Sequence, residues 1–380
     1  MRRKAKMINS VKNIGFVSYW FNRGQAVVTR YVRSIFDEAG YNTFVLVRSA
    51  KEESLSGDWA GDGITIGSKE YNMDKKTYIR WVKKNKLDAV FFFQNYQFEE
   101  IKAIRKMGVK TIGTFMWEQF GQQHVQAAKE SFDVIYSLTK CQQDRYENIL
   151  KMNTEPVRWG IHPSLLRSFS GRNRSGPIWF YYPAGYCSGR KAVYEVVKAF
   201  SMVDNDNIRL LVSSQKKIKD MGNSRKGRVK GGIEYDEFLR YIQDPRIKVN
   251  IGNVLSHDKF HATMQSCDVC ILPSKWEGLG LAFVESIAFE MPIVATDYPP
   301  MNEYVVDGET GFLVRCNKKA RRQNGIRIAN ISVGKLADKI SRLADRETIR
   351  VMSDNTRDIL QDRFSWDSTR KDYIDLLDRL

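Results

Sequence analysis

Residues 272–314 read LPSKWEGLGLAFVESIAFEMPIVATDYPPMNEYVVDGETGFLV and are the most informative stretch of the chain. The apolar run that ends at Leu272 predicts a buried strand, and the residues from Leu281 onward predict a helix. The loop between them contains Gly278 and Gly280, and glycine lets backbone N–H groups approach a ligand closely. Because the helix N-terminus adds unsatisfied N–H donors and a positive dipole end, this turn predicts a phosphate site.

Two carboxylates flank the predicted phosphate site. Glu277 lies in the loop, and Glu285 lies about one turn into the predicted helix. A carboxylate only accepts hydrogen bonds, and its two oxygens can accept both hydroxyls of a sugar diol. A phosphate site between two such carboxylates fits a sugar–diphosphate–ribose ligand. Taken alone, the two residues also fit a surface loop with solvated glutamates.

The same stretch resembles the retaining family-4 glycosyltransferases of the GT-B fold. Their mark is a Glu-x7-Glu motif between a Pro-Ser loop and a helix, and Glu277 and Glu285 have that spacing. The other matching positions are Pro273-Ser274, Gly278-Leu279-Gly280-Leu281, 292–297, Glu303, Asp307-Gly308 and 310–314. The resemblance covers almost the whole chain, strongly in the second half and faintly in the first.

The resemblance implies a role for each matched residue. Glu285 would hold the ribose 2′- and 3′-hydroxyls, and Glu277 would contact hydroxyls of the transferred sugar. The backbone N–H groups of Leu279, Gly280 and Leu281 would meet the sugar and the diphosphate.

A second matching piece is residues 184–200, AGYCSGRKAVYEVVKAF. Lys191 fits a family lysine at the start of a helix, and Arg190 is the candidate for a family arginine whose usual position holds Tyr186. A departing nucleoside diphosphate develops negative charge that fixed cations stabilise. A solvated basic helix start is the alternative for these two cations.

Fainter matches complete the predicted donor site, and one departure concerns the acceptor. Gly24 lies where the family keeps a glycine near the donor phosphates, and Asn253 and Val254 lie in a segment that resembles its base-side loop. The family often has a histidine facing the transferred sugar, whereas this chain has Trp117 and Glu118 in that region.

Strands and helices alternate along the chain, which predicts parallel α/β sheets. The expected fold class is α/β of the GT-B type, with two Rossmann-like domains facing each other across a cleft. The expected domains are an acceptor domain at 1–165 and a donor domain at 166–363, with a C-terminal helix at about 364–380 that packs back on the first. Predicted strands include 43–47, 89–93, 247–251, 269–272 and 293–296, and predicted helices include 26–38, 98–107, 191–202, 258–266 and 281–289.

Composition narrows the class of protein. A chain of 380 residues favours two domains. It has no apolar run long enough for a membrane span, and no apolar run follows its basic start as in a signal peptide. Its five cysteines are irregularly spaced, which favours reduced thiols and predicts a cytoplasmic protein.

The formal charge of +17 is spread over both halves of the chain. Such a field attracts polyanions, so nucleotide phosphates, an anionic membrane face, acidic glycans and nucleic acid are all candidate partners. The basic runs at 216–230 and 315–327 read either as solvated loops or as contacts to an anionic acceptor or membrane.

Two histidines and two cysteines lie close together in the sequence but do not form a convincing zinc motif. His257-x3-His261 precedes Cys267-x2-Cys270, but the histidines lie on a predicted helix and the cysteines run into a strand, where residues three apart point to opposite faces. We therefore expect no metal ligands and metal-independent chemistry.

The expected function is transfer of a sugar, with retention, from a UDP- or GDP-sugar co-substrate to a hydroxyl of a glycan or glycolipid acceptor. No bound cofactor is expected, and the enzyme would be cytoplasmic or peripheral at the inner membrane face. The alternatives are a nucleotide-sugar epimerase, a phosphorylase, a glycosyltransferase acting on nucleic acid or protein, and a non-enzymatic basic protein. Sugar, base, acceptor and oligomeric state stay open.

Overall fold

The computed structural model describes residues 11–167, 175–185, 189–215, 228–229, 233–251, 256–321 and 324–380. Contacts divide the chain into two compact units. The first unit comprises Met1–Arg158 and Asp367–Leu380, and the second comprises Trp159–Trp366.

Seven parallel strands form the sheet of the first unit. They are β1 (Asn13–Ser18), β2 (Asn42–Val47), β3 (Ile64–Ile66), β4 (Ala89–Phe93), β5 (Lys110–Thr114), β6 (Val134–Ser137) and β7 (Glu155–Pro156). Their spatial order is β3-β2-β1-β4-β5-β6-β7, so the sheet grows in opposite directions from the β1–β4 pair. Every residue of β4 is buried, as expected for a central parallel strand covered on both faces.

Between residues 11 and 158, five helices pack with this sheet. They are α1 (Gly24–Glu38), α2 (Lys75–Lys84), α3 (Phe98–Arg105), α4 (Gln122–Ser131) and α5 (Lys140–Asp144). Helix α1 buries Val28, Val32 and Ile35, which share one face because they lie three to four residues apart. Helix α2 begins where the Asp74 side chain accepts a hydrogen bond from the Thr77 amide at 2.8 Å, a standard N-cap.

Six parallel strands form the main sheet of the second unit. They are β8 (Ile178–Gly185), β9 (Ile208–Ser214), β12 (Ile247–Ile251), β13 (Val269–Leu272), β14 (Ile293–Thr296) and β15 (Gly311–Val314). Their order is β12-β9-β8-β13-β14-β15, so growth of this sheet reverses between β8 and β13. Two small antiparallel ladders stand apart from it: β10 (Arg228–Val229) with β11 (Ile233–Glu234), and β16 (Asn317–Arg321) with β17 (Arg327–Asn330).

Among the residues that the structure describes, seven helices belong to the second unit. They are α6 (Pro163–Arg167), α7 (Val193–Ser201), α8 (Tyr235–Tyr241), α9 (His257–Gln265), α10 (Leu281–Ala288), α11 (Val333–Arg342) and α12 (Arg346–Asn355). Short 3₁₀ turns lie at Glu52–Leu55, Gly57–Trp59 and Met301–Glu303, and π turns lie at Arg145–Ile149 and Thr356–Gln361. The core of the unit joins β8 and β9 to α7 and α11 through buried residues such as Phe180, Leu210, Val197 and Leu336.

The last helix, α13 (Trp366–Asp378), completes the first unit. The ring of Tyr373 packs against the rings of Phe36, Phe91 and Tyr136, with centroids 6.4, 6.2 and 5.5 Å away. Asp372 accepts a hydrogen bond from the backbone amide of Arg158 and also pairs with its guanidinium, at 2.9 and 2.6 Å.

The predicted fold class, two parallel-sheet α/β units, is confirmed. Strands at 89–93, 247–251, 269–272 and 293–296 lie where they were predicted. The helix predicted from residue 191 begins instead at Val193, because Ala192 has a left-handed backbone with φ of 56°. The basic run at 315–327, one reading of which was a loop, contributes to the β16–β17 ladder. Within the described ranges, no helix combines the length and apolar character required to cross a bilayer.

Candidate functional site

The predicted cations and the loop glutamate meet at one edge of the second sheet. Strands β8 and β13 are neighbours, and sheet growth reverses between them. The loop after β8 leads to Arg190 and Lys191, and the loop after β13 contains Glu277. In open α/β sheets, ligands bind outside the carboxyl ends of the strands at such a reversal.

Glu277 is clamped between the two cations. Its Oε1 accepts from Lys191 Nζ at 2.6 Å, and its Oε2 accepts from Arg190 Nη1 at 2.6 Å. The Ser274 hydroxyl donates to the same Oε1 at 2.7 Å. The Glu277 side chain is only 6% exposed and that of Lys191 only 12%, whereas Arg190 is about one-third exposed at 31%. The cluster therefore combines a buried carboxylate with one cation that reaches solvent.

This environment keeps the Glu277 carboxyl ionised. Burial on its own would raise its pKa, but the charges of Lys191 and Arg190 and the hydrogen bonds from Lys191 and Ser274 outweigh burial and lower the pKa. At neutral pH the side chain is a carboxylate and offers only acceptor oxygens.

Backbone contacts hold the two loops together. The Lys275 amide donates to the Arg190 carbonyl at 2.8 Å, and the Tyr182 hydroxyl donates to the Lys191 carbonyl. The Thr296 hydroxyl, at the end of β14, donates to the Ser274 carbonyl at 2.8 Å. The positions of the charged groups are thus fixed by neighbouring strands as well as by their mutual attraction.

Helix α10 begins beside this cluster. Its N-cap, Gly280, has φ of 76° and ψ of 52°, a left-handed conformation that suits glycine. A Cβ there would lie 3.0 Å from Phe283 Cδ2. The Tyr304 hydroxyl donates to the Leu279 carbonyl and so anchors the loop from the other side. The first amides of an α-helix lack intrahelical acceptors, so the start of α10 offers donors and a positive dipole end to an anion.

Glu285 lies in the second turn of α10 and is 7% exposed. Its Oε1 is 3.4 Å from Nε2 of His261, which α9 supplies. The His261 ring also packs against the rings of Phe289 and His257, with centroids 5.4 and 4.2 Å away.

The structure brings some of the predicted residues together and leaves others apart. Arg190, Lys191 and Glu277 are in direct contact, and Gly278, Leu279, Gly280 and Leu281 continue the same loop into the helix that carries Glu285. Gly24 belongs to the first unit, where it is the first residue of α1 beside the β1–β4 reversal. Asn253 and Val254 lie outside the described residues.

Sequence reasoning assigned no role to four residues that support the site. Ser274 and Thr296 belong to stretches that match the family pattern but carry no predicted role, and Tyr304 has no sequence signal. The sequence pattern groups His261 only with His257 and the two cysteines, as a zinc candidate. Trp117 is buried in the loop after β5 of the first unit, and its predicted proximity to the acceptor stays a prediction.

Two parallel-sheet α/β units, the second with a glycine-containing loop at its sheet reversal, are the architecture of the GT-B fold. Residues 187–344, most of the second unit, match the family model of glycosyl transferases group 1.

Two relatives are similar to this chain in sequence, and one solved structure is similar to it in fold. A glycosyltransferase of Methanocaldococcus jannaschii is 29% identical over 37% of this chain, and the capsular polysaccharide biosynthesis glycosyltransferase CapM of Staphylococcus aureus is 26% identical over 46% of it. Each alignment covers 39% of the length of the relative. Anabaena HepE, solved in complex with UDP and glucose, has the same fold, with a TM-score of 0.72 over 97% of this chain and all of HepE (100%), at 14% identity.

Proposed function

We propose that this chain is a retaining glycosyltransferase that moves a sugar from a nucleotide diphosphate sugar to a hydroxyl acceptor without a metal ion. The observation that carries the proposal is the buried Glu277 carboxylate held by Arg190 and Lys191 at the sheet reversal, beside the N-terminus of α10. These groups supply the acceptors that sugar hydroxyls need and the positive charge that a diphosphate needs.

The donor would lie across the loop that leads into α10. Its diphosphate would meet the amides of Leu279, Gly280 and Leu281 and share the two cations with Glu277. Glu285, one turn further along the helix, would accept the two ribose hydroxyls. UDP-sugars are the first donors to test, because HepE, which has the same fold, was solved with UDP and glucose; GDP-sugars are the second.

Fixed positive charge would drive the chemical step. As the bond between the anomeric carbon and the diphosphate breaks, negative charge grows on the leaving oxygen, and Lys191, Arg190 and the helix terminus stabilise it without reorganising. Retention then follows from attack by the acceptor hydroxyl on the face that the diphosphate leaves, with the leaving phosphate oxygen taking the hydroxyl proton and with no protein nucleophile. Glu277, whose pKa is lowered, accepts hydrogen bonds from the sugar and holds it in position rather than donating a proton.

The proposed acceptor is a hydroxyl of a cell-surface or lipid-linked glycan. Its binding is assigned to the domain predicted at 1–165, and donor binding to the domain predicted at 166–363. The proposed location is the cytoplasm, with association at the inner membrane face favoured by the net charge of +17.

Thermal unfolding against a panel of nucleoside diphosphates and their sugars tests the donor site. At about 100 times its Kd, a ligand that binds only the folded state adds about 2.7 kcal/mol of stability. We expect such a shift with one nucleotide and its loss in Glu285→Ala. Glu309→Ala removes an exposed glutamate of the same unit and should keep the shift. A chain that responds to no nucleotide, or a shift that persists in Glu285→Ala, would contradict the proposed site.

Product analysis tests the reaction itself. With the identified donor and a panel of glycan acceptors, NMR of the new linkage should show the anomeric configuration of the donor. An inverted product would contradict retention. Conversion of the donor sugar to its epimer in the absence of acceptor would identify an epimerase instead.

A further inference from the structure

Three potential metal ligands converge behind the start of α10. His257 and His261 lie four residues apart on α9 and therefore share one face of that helix, with ring centroids 4.2 Å apart. Glu285 approaches from α10, with its Oε1 3.4 Å from His261 Nε2. One ligand atom from each of the three residues lies within 4.8 Å of the other two.

The spacing and chemistry of this cluster suit a tetrahedral metal. Zinc binds imidazole nitrogen and carboxylate oxygen at about 2.0–2.2 Å, which separates two ligand atoms on one ion by about 3.4 Å. The His261–Glu285 pair already has this separation, at 3.4 Å. The half-buried His257 ring would need to close the remaining distance by a small side-chain rotation.

The Glu285 carboxylate has little else to compensate its charge. It is 7% exposed, and in the part of the chain that the structure describes His261 is the single side chain that pairs with it. A buried carboxylate is costly unless it is paired or coordinates a metal. Neither Cys267 nor Cys270 belongs to this group. The fold therefore places Glu285, and not the two cysteines of the sequence pattern, beside the histidines.

We propose that His257, His261 and Glu285 bind Zn²⁺, or another late divalent transition metal, with a fourth position left to water. Two histidines and one carboxylate with an open position form a common zinc ligand set. Because Glu285 is also the proposed ribose ligand, the metal and the nucleotide exclude each other, and Zn²⁺ inhibits an enzyme whose chemistry needs no metal. This exclusion rests on the proposed function, whereas metal binding itself does not.

Direct metal binding is tested on the full chain without nucleotide. Calorimetry with ZnCl₂, and thermal unfolding at free Zn²⁺ fixed by a metal buffer, should show one site. His257→Gln and His261→Gln should each weaken Zn²⁺ binding by more than about tenfold, as losses in a zinc ligand shell do. His124→Gln, a partly buried histidine of the first unit, should leave the affinity unchanged. Mg²⁺, which prefers oxygen ligands, should give no stabilisation.

Two results would overturn the metal site: no saturable Zn²⁺ binding, or binding that His257→Gln and His261→Gln leave intact. Because His261 is buried, circular dichroism of each variant is compared with the wild type. His257→Gln, at a half-buried position, keeps the test valid if His261→Gln unfolds.

Competition tests the exclusion separately. The apparent Kd of the nucleotide should rise by a factor of one plus the ratio of free Zn²⁺ to its Kd, and free nucleotide should raise the apparent Kd of Zn²⁺ in the corresponding way. Simultaneous binding of both would overturn the exclusion. Zn²⁺ binding in a chain that takes up no nucleotide would leave the metal site standing and contradict the proposed function. Nucleotide binding without Zn²⁺ binding would overturn the metal site and leave the proposed function standing.

Discussion

At the scale of single residues, Glu277 departs furthest from an ordinary solvated glutamate. Its carboxylate is buried, accepts from Lys191, Arg190 and Ser274, and has a lowered pKa. Arg190 and Glu277 are 87 positions apart in the sequence, so the sheet, not the local sequence, makes this contact. The charge of Glu277 therefore links the stability of the second unit to the proposed chemistry.

Glu277→Gln should destabilise the protein by an amount that depends on pH. The free energy of unfolding at pH 7 should fall by about 1–3 kcal/mol, because two cations lose their partner and Lys191 is mostly buried. The folded pKa of Glu277 lies below the unfolded value of about 4.3, so the wild-type contribution is complete above that value and is lost as pH falls through the folded pKa. Urea unfolding from pH 7 to pH 3 should show the difference narrowing. A difference that stays constant, or an equal effect of the exposed Glu309→Gln, would contradict this account.

Lys191→Met should act on the rate of transfer. Removing one preorganised charge from a site of developing negative charge lowers kcat by roughly 100- to 1000-fold. Steady-state kinetics should show this loss in kcat, with the acceptor KM nearly unchanged. Lys335→Met, an exposed lysine of α11, is the matched control and should keep wild-type kinetics. Wild-type turnover by Lys191→Met would remove this residue from the mechanism.

The site residues that could be predicted from the sequence are those that lie close together in one loop and the helix after it. Glu277 and Glu285 belong to one loop and one helix, so their spacing survives in the sequence. His261 meets Glu285 across 24 residues, and Thr296 meets the Ser274 carbonyl across 22 residues, so both contacts exist only once the strands are paired. Their chemistry could not be deduced without the register of the sheet.

At the scale of elements, helix α10 is the helix whose start carries the proposed donor site. It was predicted from a glycine loop followed by an apolar run, and both its start and its length follow that pattern. The sequence predicts neither helix α2 nor the β16–β17 ladder, because charged residues interrupt the apolar periodicity of both segments. An Asp74 N-cap three residues before Thr77 was the available signal for α2.

Comparing Gly280→Ala with Gly308→Ala should separate an effect on the loop at the start of α10 from the backbone strain that alanine causes at any positive φ. Gly280 and Gly308 both have positive φ, so alanine at either position should cost about 1–2 kcal/mol. At Gly308 nothing lies within 4 Å of the new Cβ, whereas at Gly280 it meets Phe283 at 3.0 Å and Tyr304 at 3.7 Å. Only Gly280→Ala should therefore move the loop and weaken nucleotide binding, by more than about tenfold if one or two amide contacts are lost. Calorimetry on both variants measures this, and equal nucleotide affinities would show that the loop tolerates the side chain.

At the scale of the whole molecule, the chain closes its first unit with its last helix. The ring of Tyr373 is fully buried against Phe36, Phe91 and Tyr136, although more than 200 residues separate it from all three. Tyr373→Ala should cost about 3–5 kcal/mol of the first unit's stability, because the cavity cannot refill. Chemical unfolding should then show an early transition that nucleotide does not shift, followed by a later one that it does. Arg370→Ala, an exposed change on the same helix, is the control and should keep the wild-type unfolding profile. A single nucleotide-sensitive transition in Tyr373→Ala would contradict separate unfolding of the two units.

The excess charge of the whole molecule is unevenly compensated. On α2 the exposed cations Lys76, Arg80 and Lys83 flank the half-buried Ile79, and no ion pair neutralises them among the residues the structure describes. A cationic face around an apolar side chain suits an anionic bilayer, where each Lys or Arg contributes about 1 kcal/mol near the surface. Wild-type protein should therefore sediment with vesicles that contain anionic lipid at about 0.05 M salt and be released at about 1 M, where charges more than about 3 Å apart are screened.

Reversing the three cations to glutamate should abolish this binding while leaving the nucleotide-induced stabilisation of the second unit intact, since α2 belongs to the first unit. Vesicles of neutral lipid control for apolar adsorption. If the reversed variant binds as well as the wild type, the attraction comes from the overall charge of the molecule rather than from α2. If neither protein binds, the lipid surface is removed from the proposed function.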